Sequence, residues 1–190
     1  MPSPLTEQTA PQPRSSYGTQ KAMGELLVND YSRRGFIDGR VCRLPTIVVR
    51  PGRPNRAASS FASSIIRELL NGEEAICPID PDFDIWICSP RTIINNLVHA
   101  LTIDGERFDG SRTVNLPGLS IRVSEMFESL ERVAGREARE RIRVERDPRI
   151  EAIVYSWPPL FDNDHALSLG FGVDDNFDDI LRVYQQELAG

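Results

Sequence analysis

In the stretch SSYGTQK, Tyr17 and Lys21 are two residues whose types and spacing can do chemistry together. Four apart on a helix, they project from one face. A free tyrosine has a pKa near ~10 and is a poor base at neutral pH. A neighbouring ammonium favours the phenolate and lowers that value. Bringing it to ~7 takes about three units, roughly 4 kcal/mol at ~1.4 kcal/mol per unit. One lysine supplies only part of this. A tyrosine tuned in this way takes a proton from a hydroxyl as another bond at the same carbon breaks, a general-base effect of about 10²–10⁴. The plain alternative is a surface tyrosine that precedes a lysine by accident. Composition speaks against it: Lys21 is the only lysine in 190 residues, beside 21 arginines. A compact ammonium kept in a chain that otherwise uses guanidinium marks a position where the two do not interchange.

Three further polar residues are candidates by their place in the pattern. Arg50 and Asn55 follow a strand-like run and Arg91 opens a helix-like one, where α/β folds put ligand groups. A guanidinium fork suits a carboxylate. Each is also readable as an ordinary surface residue. Trp86 and Trp157 read as packing residues rather than stacking platforms, and His99 reads as structural.

These residues need elements to hold them. Residues 1–14 are rich in Pro, Ser, Thr and Gln without a period, which predicts an irregular segment. Ser15 or Ser16 caps a helix running to about Arg34 and stopped by Gly35. Its face carries Tyr17, Lys21, Gly24, Val28 and Tyr31, with Met23, Leu26 and Leu27 as an apolar stripe alongside. The run VCRLPTIVVRPG, residues 41–52, reads as a strand buried on both faces of a parallel sheet, broken at Pro45. A helix over 57–70, strands in EAICPI and FDIWICS, a helix from Pro90, a strand in RTVNLPG and an amphipathic helix capped by Ser124 and stopped by Gly135 follow. A charged helical stretch, a short helix at 162–168 and a terminal helix from about Asn176 complete the chain. Strands alternating with helices predict an α/β protein. The sheet looks incomplete, because few short strands remain to flank residues 41–50.

Bulk composition narrows the function classes. With 40% hydrophobic and 26% charged residues the chain is globular rather than disordered. A net charge of −6 offers no global field for nucleic acid or an anionic membrane, and no apolar run approaches the ~20 residues of a bilayer span. Cys42, Cys77 and Cys88 lack CxxC spacing and read as thiols in a reducing compartment, the cytoplasm by default. His99 and His165 are isolated, so no zinc site is expected.

The segments SSYGTQKAMGELLVNDYSRRG and GRVCRLPTIVVRPGRPNRAASSF, followed in order by ICSPRTIINNLVHA, RTVNLPGLSIRVSEM, RVAGREARERIRVERDP and SWPPLFDNDHALSLGF, resemble the second half of an extended short-chain dehydrogenase/reductase of the NAD-dependent epimerase/dehydratase family. Within it they are similar to the D-erythronate dehydrogenase group. The resemblance covers nearly everything after residue 14. It implies hydride transfer to NAD, with NADP an open alternative, from a hydroxyl-bearing carbon of a small sugar acid. It implies Tyr17 as the acid/base, Lys21 as the ligand of the nicotinamide ribose, and Leu44 and Pro45 beside the nicotinamide. A cationic nicotinamide adds to the lowering of the tyrosine pKa. The implied fold is the C-terminal portion of a doubly wound Rossmann-type sheet plus a smaller α/β substrate-binding lobe. Residues 15–56 are then the tail of the nucleotide-binding domain and 57–190 mainly the lobe, with elements returning to the main sheet. A homodimer through the Tyr–Lys helix is a further implication. The departure is upstream: the family's Gly-x-x-Gly-x-x-Gly turn has no counterpart in this sequence. The expectation is a domain that began earlier and a chain that starts in its middle. A nucleotide-sugar epimerase or dehydratase, and a non-catalytic truncated remnant, are the alternative readings.

Overall fold

A computed structural model describes residues 4–52, 57–108 and 110–189. Its first helix, α1 (Ser16–Arg33), starts where Ser15 accepts the Gly18 N–H at 3.1 Å. The helix ends before Gly35, whose φ of 73° turns the chain back. Gly39 then passes so close beneath α1 that a Cβ there would lie 2.6 Å from Val28.

The expected long strand is two short ones. β1 (Val41–Arg43) pairs in parallel with β5 (Thr113–Asn115). Pro45 interrupts the run, and β2 (Thr46–Ile47) enters a different sheet, parallel to β4 (Asp84–Cys88). β4 pairs antiparallel on its other side with β6 (Leu119–Arg122). A third pair, β3 (Ala75–Cys77) with β7 (Ile142–Val144), is parallel.

Six of the remaining helices complete the chain around these strands: α2 (Ser60–Leu70), α3 (Pro90–Thr102), α4 (Val123–Ala134), α5 (Arg136–Glu140), α6 (Pro148–Val154) and α7 (Asp164–Ser168). The terminal helix α8 (Phe177–Ala189) closes it. Two apolar clusters hold them. One gathers Ile65, Ile66 and Leu69 of α2 with Met126, Phe127 and Leu130 of α4 and Leu181 of α8. Fully burying one such side chain contributes about 1.5–3 kcal/mol. The other joins Val114 of β5 to Ile93 and Ala100 of α3 and to Ala166 and Leu169 near α7.

Strand pleating separates the two faces of the β1–β5 pair. Cys42 and Val114 face the second cluster and α3. Arg43 and Thr113 face α1, where they meet Glu25 and Asn29. The helix that carries Tyr17 therefore lies across one side of the parallel pair.

Two sequence expectations need correction. Residues 119–122 form a strand, β6, that runs straight into α4, whereas no strand was expected there. Ser124 does not cap α4; it lies inside the helix. The Glu125 carboxylate instead accepts the Arg122 N–H at 3.4 Å, the reciprocal half of a capping box.

Candidate functional site

Tyr17 stands in the first turn of α1 between two cavities. Ser15 fixes that turn twice, through the Gly18 N–H and through its own carbonyl, which accepts from Thr19 Oγ1 at 3.0 Å. The tyrosine side chain is 71% exposed. Lys21 Nζ lies 5.4 Å from the centre of its ring, the contact expected from the i, i+4 spacing.

The first cavity, about 450 Å³, brings Tyr17 together with Leu44, Pro45 and Arg50. Leu44 and Pro45 occupy the gap between β1 and β2, so the break in the strand is what presents them there. Arg50 is anchored through its backbone: its N–H donates to Ser63 Oγ at 3.1 Å, and its carbonyl accepts from Arg67 Nη1 at 3.0 Å. Its guanidinium makes no hydrogen bond or ion pair among the described residues, which leaves it free for an anion. The lining also includes four aromatic residues, Phe83, Trp86, Trp157 and Phe161. Trp86 stacks on Phe161 with ring centres 3.8 Å apart and planes 17° apart.

A second cavity of about 490 Å³ lies on the other side of Tyr17, between the 5–15 segment and residues 152–161. Tyr17, Arg43, Trp157, Pro158 and Phe161 line both cavities. Glu7 from the N-terminal segment reaches the same region and accepts the Asn115 N–H at 2.8 Å.

The other expected site residues distribute differently. Lys21 stands beside Tyr17 and lines neither cavity. Arg91 is elsewhere: it borders a separate cavity of about 190 Å³ with Ser89, Thr92 and Asp174, and lies 3.9 Å from Glu187 on the surface. Asn55 lies outside the described residues. Trp86 and Trp157 do pack, as expected, and they also form cavity wall. The signal for the wall was the pairing of aromatics with prolines, in PDFDIW and WPPLF, where rigid backbone presents a ring. Among the described residues no cluster of His, Cys, Asp and Glu is arranged to hold a metal.

Residues 1–87 match the NAD dependent epimerase/dehydratase family. Over that stretch, a little under half of the chain, the sequence is similar to the family. Its likeness to individual members runs further. It is 52% identical over 187 residues to D-erythronate dehydrogenase of Cupriavidus necator, a match spanning 98% of this chain and 58% of that protein. The D-erythronate dehydrogenase of Haemophilus influenzae is 50% identical over 184 residues, 97% of this chain and 58% of the relative. The crystal structure of a nucleoside-diphosphate-sugar epimerase from Agrobacterium tumefaciens superposes with a TM-score of 0.95 at 44% identity, over 100% of this chain and 56% of that one. The fold is thus the Rossmann-like α/β fold of the short-chain dehydrogenases/reductases, and the chain spans a little over half the length of these relatives. No helix among the described residues is long and apolar enough to cross a membrane.

Proposed function

We propose that this chain carries the acid/base and substrate-binding part of an NAD-dependent dehydrogenase that oxidises a hydroxyl of a small, D-erythronate-like sugar acid. The observation that carries the reading is one cavity lined by both Tyr17 and Arg50, whose guanidinium has no hydrogen bond or ion pair among the described residues. A substrate whose carboxylate pairs with Arg50 presents its carbon chain to the aromatic residues of the lining and a hydroxyl to Tyr17. Tyr17 takes the hydroxyl proton, and Lys21 stabilises the phenolate that does so. The bound nicotinamide supplies a hydride acceptor.

The residues present fit the nicotinamide end of such a cofactor. Lys21 has no carboxylate partner among the described residues and meets only the Tyr17 ring, so its three N–H donors are free for ribose hydroxyls. Leu44, 43% exposed, and Pro45 offer an apolar edge. Residues 15–56 act in this reading as the end of the nucleotide-binding domain and 57–190 mainly as the substrate lobe. Arg91 drops out of the substrate site because it borders another cavity. The free thiols Cys42, Cys77 and Cys88 fit a reducing, cytoplasmic setting. Met23, Leu26 and Leu27, all exposed on α1, fit a homodimer through that helix.

The test is NADH formation from D-erythronate by the longest form its gene expresses, beside Tyr17→Phe and Arg50→Met. Tyr17→Phe should lower kcat by about 10²-fold or more while NAD affinity holds, and Arg50→Met should raise KM. Turnover preserved in Tyr17→Phe would sink the acid/base role. Interconversion of nucleotide sugars without net NADH would favour the epimerase reading, to which the Agrobacterium relative's name points.

A further inference from the structure

The face of α1 that carries Tyr17 and Lys21 continues, at the same spacing of four, through Glu25 and Asn29. Each step of four residues drifts by only ~40° around a helix. The four side chains therefore form one ladder. Its lower half is tied to the parallel pair. Arg43 Nη2 donates to Glu25 Oε2 at 2.7 Å, and Arg43 Nε lies 3.0 and 3.1 Å from the two carboxylate oxygens. Asn29 donates to Thr113 Oγ1 at 3.0 Å and accepts the Arg112 N–H at 2.7 Å. One turn on, Ser32 Oγ accepts the Gly39 N–H at 3.1 Å.

These polar bonds are the main hold on the helix, because apolar packing supplies little. Ser32 is its one buried residue among those described, while Met23, Leu26, Leu27 and Tyr31 stand exposed. Apolar contacts are non-directional and tolerate rotation of a helix about its axis. A forked guanidinium on a carboxylate does not, because both partners have fixed planar geometry. The pair is also well placed to be strong: its side chains are only 22% and 18% exposed. Arg43 at the same time lines both cavities beside Tyr17.

We infer that Glu25 and Arg43 are positioning residues: their pair sets the rotation of α1 about its own axis and so aims Tyr17 at the cavity, with Lys21 held beside the tyrosine ring. This rests on the dehydrogenase reading for its kinetic consequence but not for its geometric one. Glu25 keeps the Arg43 charge occupied, so that of the two arginines lining the cavity Arg50 is the one without an ion pair among the described residues. Asn115, fully buried behind the pair with Oδ1 3.5 Å from Arg43 Nη1, backs the guanidinium from β5.

The experiment uses Glu25→Gln, which keeps the size and removes the charge, and Arg43→Lys, which keeps the charge and removes the fork. Amide residual dipolar couplings along α1 in the 190-residue chain report its tilt and its rotation relative to β1 and β5. In both variants the phase of the couplings along α1 should shift while couplings elsewhere stay in place. In the turnover assay kcat should fall on the order of 10²-fold, as for a misaimed reacting group, with KM for the acid nearly unchanged. An unshifted α1 in Glu25→Gln would overturn the inference. So would unchanged kcat beside a lowered thermal midpoint, which would make the pair a brace only. A wild-type protein without turnover would refute the dehydrogenase reading instead, and the couplings would still decide what the pair does.

Discussion

The two apolar clusters of this chain are built on different terms. Around α2, α4 and α8, side chains such as Ile65, Ile66, Leu69, Met126, Phe127, Leu130 and Leu181 are nearly or wholly buried, and the helices pack on one another. Around β1 and β5 the packing is one-sided. α3 buries Ile93 and Ala100 yet exposes Ile94, Leu97, Val98 and Leu101, which recur at helical spacing as a second apolar face. α1 exposes Met23, Leu26 and Leu27 and is held by polar bonds. β1 has one partner strand, β5, among the described residues. Parallel strands are ordinarily covered on both faces and paired on both edges. The contrast teaches that burial in one region and directional bonding in the other are separate sources of order, and that Tyr17 belongs to the second.

Core truncation breaks this comparison most sharply. Phe127→Ala, at a position 1% exposed, removes a ring from the centre of the first cluster and should cost about 3–5 kcal/mol of unfolding free energy. Leu101→Ala, at a position 83% exposed, should change stability by no more than about 0.5 kcal/mol. Urea denaturation of both variants checks this. Equal effects would mean that the exposed face of α3 is covered in solution.

A middle-sized effect is expected at the joint between the regions. Asp174 accepts three hydrogen bonds at the start of α3: from the Ser89 N–H at 2.8 Å, Ser89 Oγ at 2.7 Å and Thr92 Oγ1 at 2.7 Å. Ser89 is 4% exposed and follows β4, so one carboxylate links the sheet of β4, the helix of the second region and the segment before α8. The same carboxylate helps push the already buried Cys88 thiol upward, after burial itself. Asp174→Ala leaves buried donors unpaired and should cost about 1–3 kcal/mol. Asp174→Asn, which keeps one acceptor oxygen, should cost less. Hydrogen exchange of the first turn of α3 would locate the loss, and unchanged exchange there would contradict the assignment.

Much of this arrangement was legible in the sequence, for identifiable reasons. Ser15, Gly35 and Gly135 act locally, so the ends of α1 and α4 followed from them. Pro45 lacks an N–H, so the break in residues 41–50 was forced. What it led to was not: the sequence shows that a ladder stops at Pro45 but not that β2 joins β4 in another sheet. β6 escaped notice because its four residues pass into α4 without a turn, and Ser124 looked like a cap one residue inside the true start. Pairings such as β1 with β5 join segments about 70 residues apart, and no local preference encodes them. The site shows the same division. Tyr17 and Lys21 are linked by helical spacing alone, whereas the meeting of Tyr17 with Arg50 and Trp157 is a product of tertiary structure.

The smallest expected effect tests the well-packed region through charge. Arg132 of α4 grips Asp178 of α8 at 3.0 and 2.8 Å, and this hydrogen-bonded pairing holds the Asp178 carboxyl below the usual carboxylate range. A carboxyl lowered on folding stabilises the folded state at pH values above its unfolded pKa of ~3.9, and that stabilisation is lost as pH falls through the lower folded value. Wild-type thermal midpoints should therefore decline below about pH 4 more steeply than those of Asp178→Asn, the two curves converging toward the acid end. At neutral pH the difference should be small, because the Arg132 side chain is 56% exposed and solvent screens the pair. The same substitution should leave α1 untouched. A shift in α1 on Asp178→Asn would show that the two regions are coupled after all, and parallel acid limbs would show that Asp178 is ordinary.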